Sequence, residues 1–487
     1  MADTGTGSST QTPAGQAVVG SHSDSNAQPH GADDSTHDGG QQEAAPPTKR
    51  YTYEYSTLGG YFLQDDPSTD AATFDFMAPN VNFGLIDRAY ESDGSLPNKG
   101  QEMTQWQRFE HHVRSLNQDA RDDDNDDDAE AQEDGAHKNQ RGTRQRRHAS
   151  HSATQTRYLV FFLGRHGNGY HNIAERYYGS TAWDCHFSAL DGDPDGVMTW
   201  SDAALSSEGK RQARQVNTFW KNQTASHKMR APDVYLVSPL DRTLQTAQLS
   251  FDSVVGSAGL KAVVMEKARE GTGIHTCDRR GSVTSIRARY PSYNVDADVY
   301  LTERDEFWTS DRREPPSALD KRMRGFFDDL MSDAEMLGPE KDSVSVTSHS
   351  GAIAAMLRVL GHRDFGLGTG AVIPVLVKVR RIRLDDDGKD LGRRNGGSGE
   401  GAHHKEPTLD LPDLADSQDE QAAKGHKENP SLSNVDPDDR SKWATIPSCP
   451  ADLDLVTVGQ QRWGMGLKEF LDGVEGGTLD MEAVPFR

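Results

Sequence analysis

The 487-residue chain carries 76 acidic against 53 basic residues, a formal net charge of -23. That balance argues against non-specific nucleic-acid binding, which needs clustered Lys and Arg. Only 34% of residues are hydrophobic and the mean hydropathy is -0.78, too polar for a chain folded along its whole length.

No apolar run reaches the ~18 residues of a membrane-spanning helix. The opening MADTGTGSSTQT has neither a basic start nor an apolar stretch, so no signal peptide is expected. Three cysteines, Cys185, Cys277 and Cys449, lie far apart and are odd in number. A disulfide framework is therefore not expected, and a reducing, cytoplasmic setting fits best. An anionic substrate would need a local basic pocket to overcome the long-range repulsion.

Residues 1–48 are rich in Ser, Gly, Thr, Gln, Asp and His and hold almost no large apolar side chains. They cannot offset their ordering entropy and read as disordered. Composition changes abruptly at Tyr51, where YTYEYSTLGGYFLQ begins an aromatic-rich stretch. Residues 49–118 read as an extension packed on the main domain. Within it, Trp106, Phe109, Val113 and Leu116 recur at helical spacing. Residues 119–156 form a charged insert, acidic first and then basic at Lys138, Arg141, Arg144, Arg146 and Arg147. A charge-balanced disordered loop is the simpler reading. The basic half would otherwise be a nuclear-localisation or nucleic-acid patch, which leaves the nucleus open as a second location.

A core follows over residues 157–383. YLVFFL from Tyr158 is a continuous apolar run, as buried parallel strands are. Similar runs lie at Asp233–Val237, Ala262–Met265, Val344–Thr347 and Val372–Val379. Helical patterns separate them at Ala204–Asn222, Leu240–Phe251, Ser317–Leu337 and Ala352–Leu360. The alternation predicts an α/β fold: a three-layer α/β/α sandwich with a mostly parallel central sheet, interrupted by long disordered segments. Residues 384–441 lack periodicity and read as a second disordered insert, open to protein partners. Residues 442–487 return to complete the domain, with one element at Leu453–Val458 and a helix at Trp463–Leu471.

The chemistry-bearing residues fall where predicted strands end. GRHGNGYHN (164–172) follows the first core strand and places Arg165 and His166 at the carboxyl edge of the sheet, where open α/β sheets bind ligands. A cation beside a histidine disfavours the imidazolium and keeps the ring nucleophilic. SPLDRTLQTA (238–247) follows the next strand and puts Arg242 in a first helical turn, among N–H groups that attract anions. A plain structural pairing of Arg242 with Asp241 is the alternative. REGTGIHTCDRR (269–280) supplies Glu270, and VTSHSG (346–351) ends a strand at His349.

These four stretches, spread over about residues 157–380, resemble the histidine phosphatase (phosphoglycerate mutase-like) superfamily. HNxAExxYG (His171 to Gly179), HTCDRR and GYFLQ...FGLID are similar to its fungal and plant branch. The resemblance implies that His166 forms a phosphohistidine, that Arg165, Arg242 and His349 bind the phosphoryl group, and that Glu270 is the proton donor. Asn172, His275 and Arg279 are expected to contact the substrate, a small phosphorylated molecule. His275 and Arg279 could equally anchor their loop, as could Arg280. Trp183 and Trp200 are expected to pack the insertion after the first helix or, alternatively, to wall the substrate site, and Cys277 is expected to be a buried structural thiol.

The reading is a metal-independent phosphatase without a cofactor. A phosphomutase would use the same residues, but mutases of this superfamily usually carry Ser and Trp after the RHG, where this chain has Asn168, Gly169 and Tyr170. A catalytically idle scaffold is the second alternative, and the intact residue set argues against it. A metal site from His166, His171 and His186, with Asp184, Asp191 and Asp193 nearby, is the third, and its spacing matches no metal motif.

Overall fold

The computed structural model describes residues 51–133, 154–256, 259–298, 300–384 and 438–479, and the side chains of all of these except 123–133. The segment 1–48 and most of the two predicted inserts lie outside the described residues.

The chain opens with strand β1 (Tyr51–Thr57) and helix α1 (Gln105–Glu133). α1 runs past the boundary read at residue 118, so the acidic stretch begins as helix. Strand β2 (Thr154–Arg165) leads to α2 (Tyr170–Tyr178), α3 (Ser180–Cys185) and α4 (Ser207–Ala225). Next come β3 (Val234–Val237), α5 (Asp241–Phe251), β4 (Val263–Val264) and α6 (Val283–Arg289). Helix α7 (Pro316–Ser332), β5 (Ser343–Ser348), α8 (Ser350–Leu360) and β6 (Val372–Arg383) complete the core, and α9 (Val458–Trp463) and α10 (Leu467–Glu475) close the chain.

The six strands form one sheet in the order β1-β6-β2-β5-β3-β4. β2, β5, β3 and β4 are parallel, while β6 and β1 add antiparallel pairs at one edge. The N-terminal segment thus contributes a strand of its own. Side chains alternate across the sheet as a period of two requires. Leu159, Phe161 and Leu163 face α7 and α8, through Met323, Phe326, Phe327, Met356 and Leu360. Val160 and Phe162 face the opposite layer, with Trp106 and Phe109 of α1, Trp220 of α4 and Phe251 of α5. Helices on both faces give the predicted three layers. Each large side chain withdrawn from water in this way contributes roughly 1.5–3 kcal/mol.

Local sequence sets the helix ends. α4 starts after Ser206, whose hydroxyl accepts from Gly209 N at 3.1 Å. Ala204 and Leu205, read as helical, instead pair with the loop after β2: Tyr170 N donates to Ala204 O. α7 begins on Pro316, whose fixed φ suits a first helical position. α8 ends at Gly361, with φ 73°, the left-handed conformation glycine adopts without penalty.

The C-terminal segment wraps over α2 and α3. Phe470 is fully buried against Tyr177, and Trp463 Nε1 donates to Arg176 O at 3.2 Å. Trp183 and Trp200 lie in the same cluster. Cys185 and Cys449 are joined by a disulfide, which corrects the expectation drawn from the cysteine count. The two are 264 residues apart in sequence, so no spacing could announce the pair; the returning segment brings them together. Cys277 is free and buried. No helix among the described residues is long and apolar enough to cross a membrane.

Candidate active site

Sheet register brings the key residues to one level. Arg165 pairs with Ser348 across β2 and β5, and Val237 pairs with Thr347 across β3 and β5. His166, His349 and Ser238 therefore leave three neighbouring strands side by side. The His166 and His349 rings lie 5.1 Å apart, centroid to centroid.

The loop after β2 is held tightly. Gly167 N donates to Thr246 Oγ1 at 3.0 Å, and Asn168 N to Gln212 Oε1 at 2.8 Å. A Cβ on Gly167 would lie 2.5 Å from Gly209 O, so only glycine permits this approach to α4. His166 itself is buried, with Nδ1 2.7 Å from Gly167 O. A carbonyl only accepts, so Nδ1 carries the proton and Nε2 keeps its lone pair. Burial, then the charges of Arg242 and Arg165, hold the imidazole pKa well below its usual value. The ring is therefore neutral, with its lone pair on Nε2.

Both arginines are partly engaged and keep free donors. Arg165 Nη1 donates to Leu367 O at 2.7 Å. Arg242 donates to Cys277 O at 2.5 Å and to Asp278 Oδ1 at 2.8 Å. The partner of Arg242 is thus Asp278; Asp241 binds Arg289 and Tyr290 instead. Each arginine's Nε is buried with no protein partner among the described residues. His349 contacts Ser238 Oγ at 2.7 Å through Nε2, while its Nδ1 is buried and unpartnered. Burial and Arg242 keep His349 neutral as well.

Glu270 accepts from Gly271 N and Gly351 N, each at 2.9 Å, so both oxygens are fixed at the start of α8. It lies close enough to Arg165 for their charges to interact.

The remaining predicted residues divide. Asn172 Oδ1 accepts from Gly169 N at 3.0 Å and closes the first turn of α2. Arg279 binds Asp191 at 2.6 Å and Ser201 at 2.9 Å, and Arg280 binds Glu266, so both anchor their loop. His275 is neutral, its pKa pushed down to about 3 by burial and Arg313. Sequence reasoning missed Arg313, which shares Asp278 with Arg242 at 2.8 Å; the two partners are 35 residues apart and carry no common pattern. Burial raises the Asp278 carboxyl, but Arg313 and Arg242 outweigh it and hold it at about 2.

Among the described residues, the three donors close enough to share a cation are His275, Cys277 and Asp278, not His166, His171 and His186. Asp278 is already committed to two guanidinium groups, whose charge repels a metal ion.

The structure thus gathers a buried, neutral histidine and two arginines at the carboxyl edge of an α/β sheet. The chain belongs to the histidine phosphatase superfamily; the model of its branch 1 matches residues 192–396. Over 327 residues it is 41% identical to a probable phosphoglycerate mutase of Arthroderma benhamiae, covering 67% of this chain and 84% of that one. It is 34% identical over 250 residues to a probable phosphoglycerate mutase of Saccharomyces cerevisiae, covering 48% and 83%. A phosphoglycerate mutase-like protein of Arabidopsis thaliana is 26% identical over 226 residues, covering 41% and 71%.

Proposed function

We propose that this protein hydrolyses a small phosphate monoester through a phosphohistidine on His166. The observation that carries the reading is the contact between His166 Nδ1 and Gly167 O, which leaves the lone pair of a neutral ring on Nε2, close enough to Arg165 and Arg242 to feel their charges.

His166 Nε2 attacks phosphorus and the bond to the leaving oxygen breaks. Glu270 gives its proton to that oxygen. Water then attacks the phosphohistidine, Glu270 takes one of its protons, the P–N bond breaks and orthophosphate leaves. Arg165, Arg242 and His349 meet the charge on the non-bridging oxygens. Donors fixed in advance in a dry site are commonly the largest catalytic contribution. Because arginines supply the positive charge, the scheme requires no metal ion and no cofactor.

Phosphomutase action is the second reading, favoured by the names of the fungal relatives. The same residues would then return the phosphoryl group to the substrate. Asn168, Gly169 and Tyr170, where mutases of the superfamily usually carry Ser and Trp, favour hydrolysis. The Cys185–Cys449 disulfide weighs against the reducing, cytoplasmic setting that the cysteine count suggested.

The deciding experiment measures orthophosphate release and phosphoglycerate interconversion by wild type and His166→Ala, with chelator present. Chelator-resistant release lost in the variant is expected. Interconversion without net release would establish the mutase, and activity that survives His166→Ala would overturn the site.

A further inference from the structure

A third histidine sits against the nucleophile. The His171 ring centroid is 5.3 Å from that of His166, tilted by 55°, and only 9% of the residue is exposed. Neither ring nitrogen hydrogen-bonds to any described residue, and Nδ1 is wholly out of solvent. An imidazole so placed costs free energy that a phenyl ring of similar shape would not. The backbone has also made room for it. A Cβ on Gly169 would lie 2.7 Å from His171 Nδ1 and 2.8 Å from Cε1, so the loop admits this ring only because residue 169 is glycine.

Nδ1 and Cε1 are the ring atoms nearest Gly169 and Nδ1 is the nitrogen sealed from solvent, so Nε2 is the nitrogen left to meet a ligand. Arg242 and Arg165 both lie close enough to His171 to depress its protonation, as they do for His166. His171 and His349 thus flank His166 at 5.3 and 5.1 Å, two neutral rings beside one neutral nucleophile. The site also needs donors. Both terminal nitrogens of Arg242 already bind Cys277 O and Asp278, and one of Arg165's binds Leu367 O.

We propose that His171 is a further phosphoryl-binding residue, its Nε2–H donating to a non-bridging oxygen of the group transferred to His166. This rests on the reading of His166 as nucleophile. With Arg165, Arg242 and His349 it completes a ring of donors around the phosphoryl oxygens, and Gly169 is the residue that lets it stand there.

The test is the dissociation constant of orthophosphate and of orthovanadate, by titration calorimetry on the full chain, with the thermal midpoint recorded alongside. His171→Phe keeps the ring's shape and removes the donor. His171→Asn places its amide too near the backbone to replace Nε2, whereas His171→Gln reaches that position. Phe and Asn are expected to weaken both anions by about 10- to 100-fold, the range of one hydrogen bond to a charged group. Gln is expected to stay within about threefold of wild type, an assignment from the same donor inventory. Asn carries the comparison should the Phe variant not fold. Wild-type affinity in Phe or Asn would overturn the proposal while leaving His166 as nucleophile untouched. Equal losses in all three variants, the signature of a purely structural ring, would also overturn it. A wild type that binds neither anion would overturn both this proposal and the phosphoryl-transfer reading.

Discussion

Arg242 and Asp278 form an ion pair at 2.8 Å with side chains 1% and 3% exposed. The pair joins the first turn of α5 to the loop after Glu270, and so fixes the arginine proposed to bind phosphate against the segment that carries the proposed acid. Removing one partner of such a pair leaves an uncompensated buried charge.

Asp278→Asn is therefore expected to destabilise the fold by about 3–5 kcal/mol and to weaken orthophosphate binding, because both Arg242 and Arg313 lose their anchor. Urea denaturation together with calorimetric titration checks this. Unchanged stability with unchanged phosphate affinity would mean that the pair is dispensable.

Gly351 bears on the acid step. A Cβ there would stand 2.4 Å from Glu270 Oε1, so Gly351→Ala must displace the carboxyl group. With an alkyl phosphate, whose leaving oxygen needs a proton, Glu270→Gln is expected to lower kcat by roughly 10²–10⁴ and Gly351→Ala by about tenfold. With an aryl phosphate bearing a good leaving group, both losses should shrink. Equal losses on the two substrates would remove Glu270 from proton donation.

Acid should weaken the fold through its buried histidines. His166, His171, His275 and His349 all have depressed pKa values. The unfolded chain then binds protons that the folded chain refuses, so their contribution is present above about pH 6.5 and is lost as pH falls below it. For His275 the loss continues to about pH 3. Each such histidine adds a slope of about 1.4 kcal/mol per pH unit. Glu110, raised to about 7 by burial, acts in the opposite sense. The contribution is therefore read as the difference between wild type and His275→Phe, by denaturation at pH 7.5, 6 and 5. The variant should show the shallower loss; parallel curves would contradict the burial of a neutral His275.

The disulfide gives a direct count. Unfolded under non-reducing conditions, the protein should offer one reactive thiol, Cys277, and after reduction all three cysteines. Cys185→Ser is expected to cost about 2–4 kcal/mol, the usual range for a crosslink. Three reactive thiols before reduction would show that the bond does not form.

The sequence determined the scaffold and the family. Short continuous apolar runs rich in β-branched and aromatic residues suit strands covered on both faces, and the helical periods between them supplied the covers. Residues in the segments that follow neighbouring strands are brought to one edge, which is why the grouping of His166, Arg165, Arg242 and His349 was legible from local stretches. Tertiary structure decided what depends on contacts between distant segments. The Arg242–Asp278–Arg313 chain, the Cys185–Cys449 bond and the β1–β6 pairing join residues whose sequence separation leaves no periodic trace. The same holds for His171. Its place beside His166 follows from the tight approach of a glycine loop to α4, a matter of excluded volume that no residue pattern expresses.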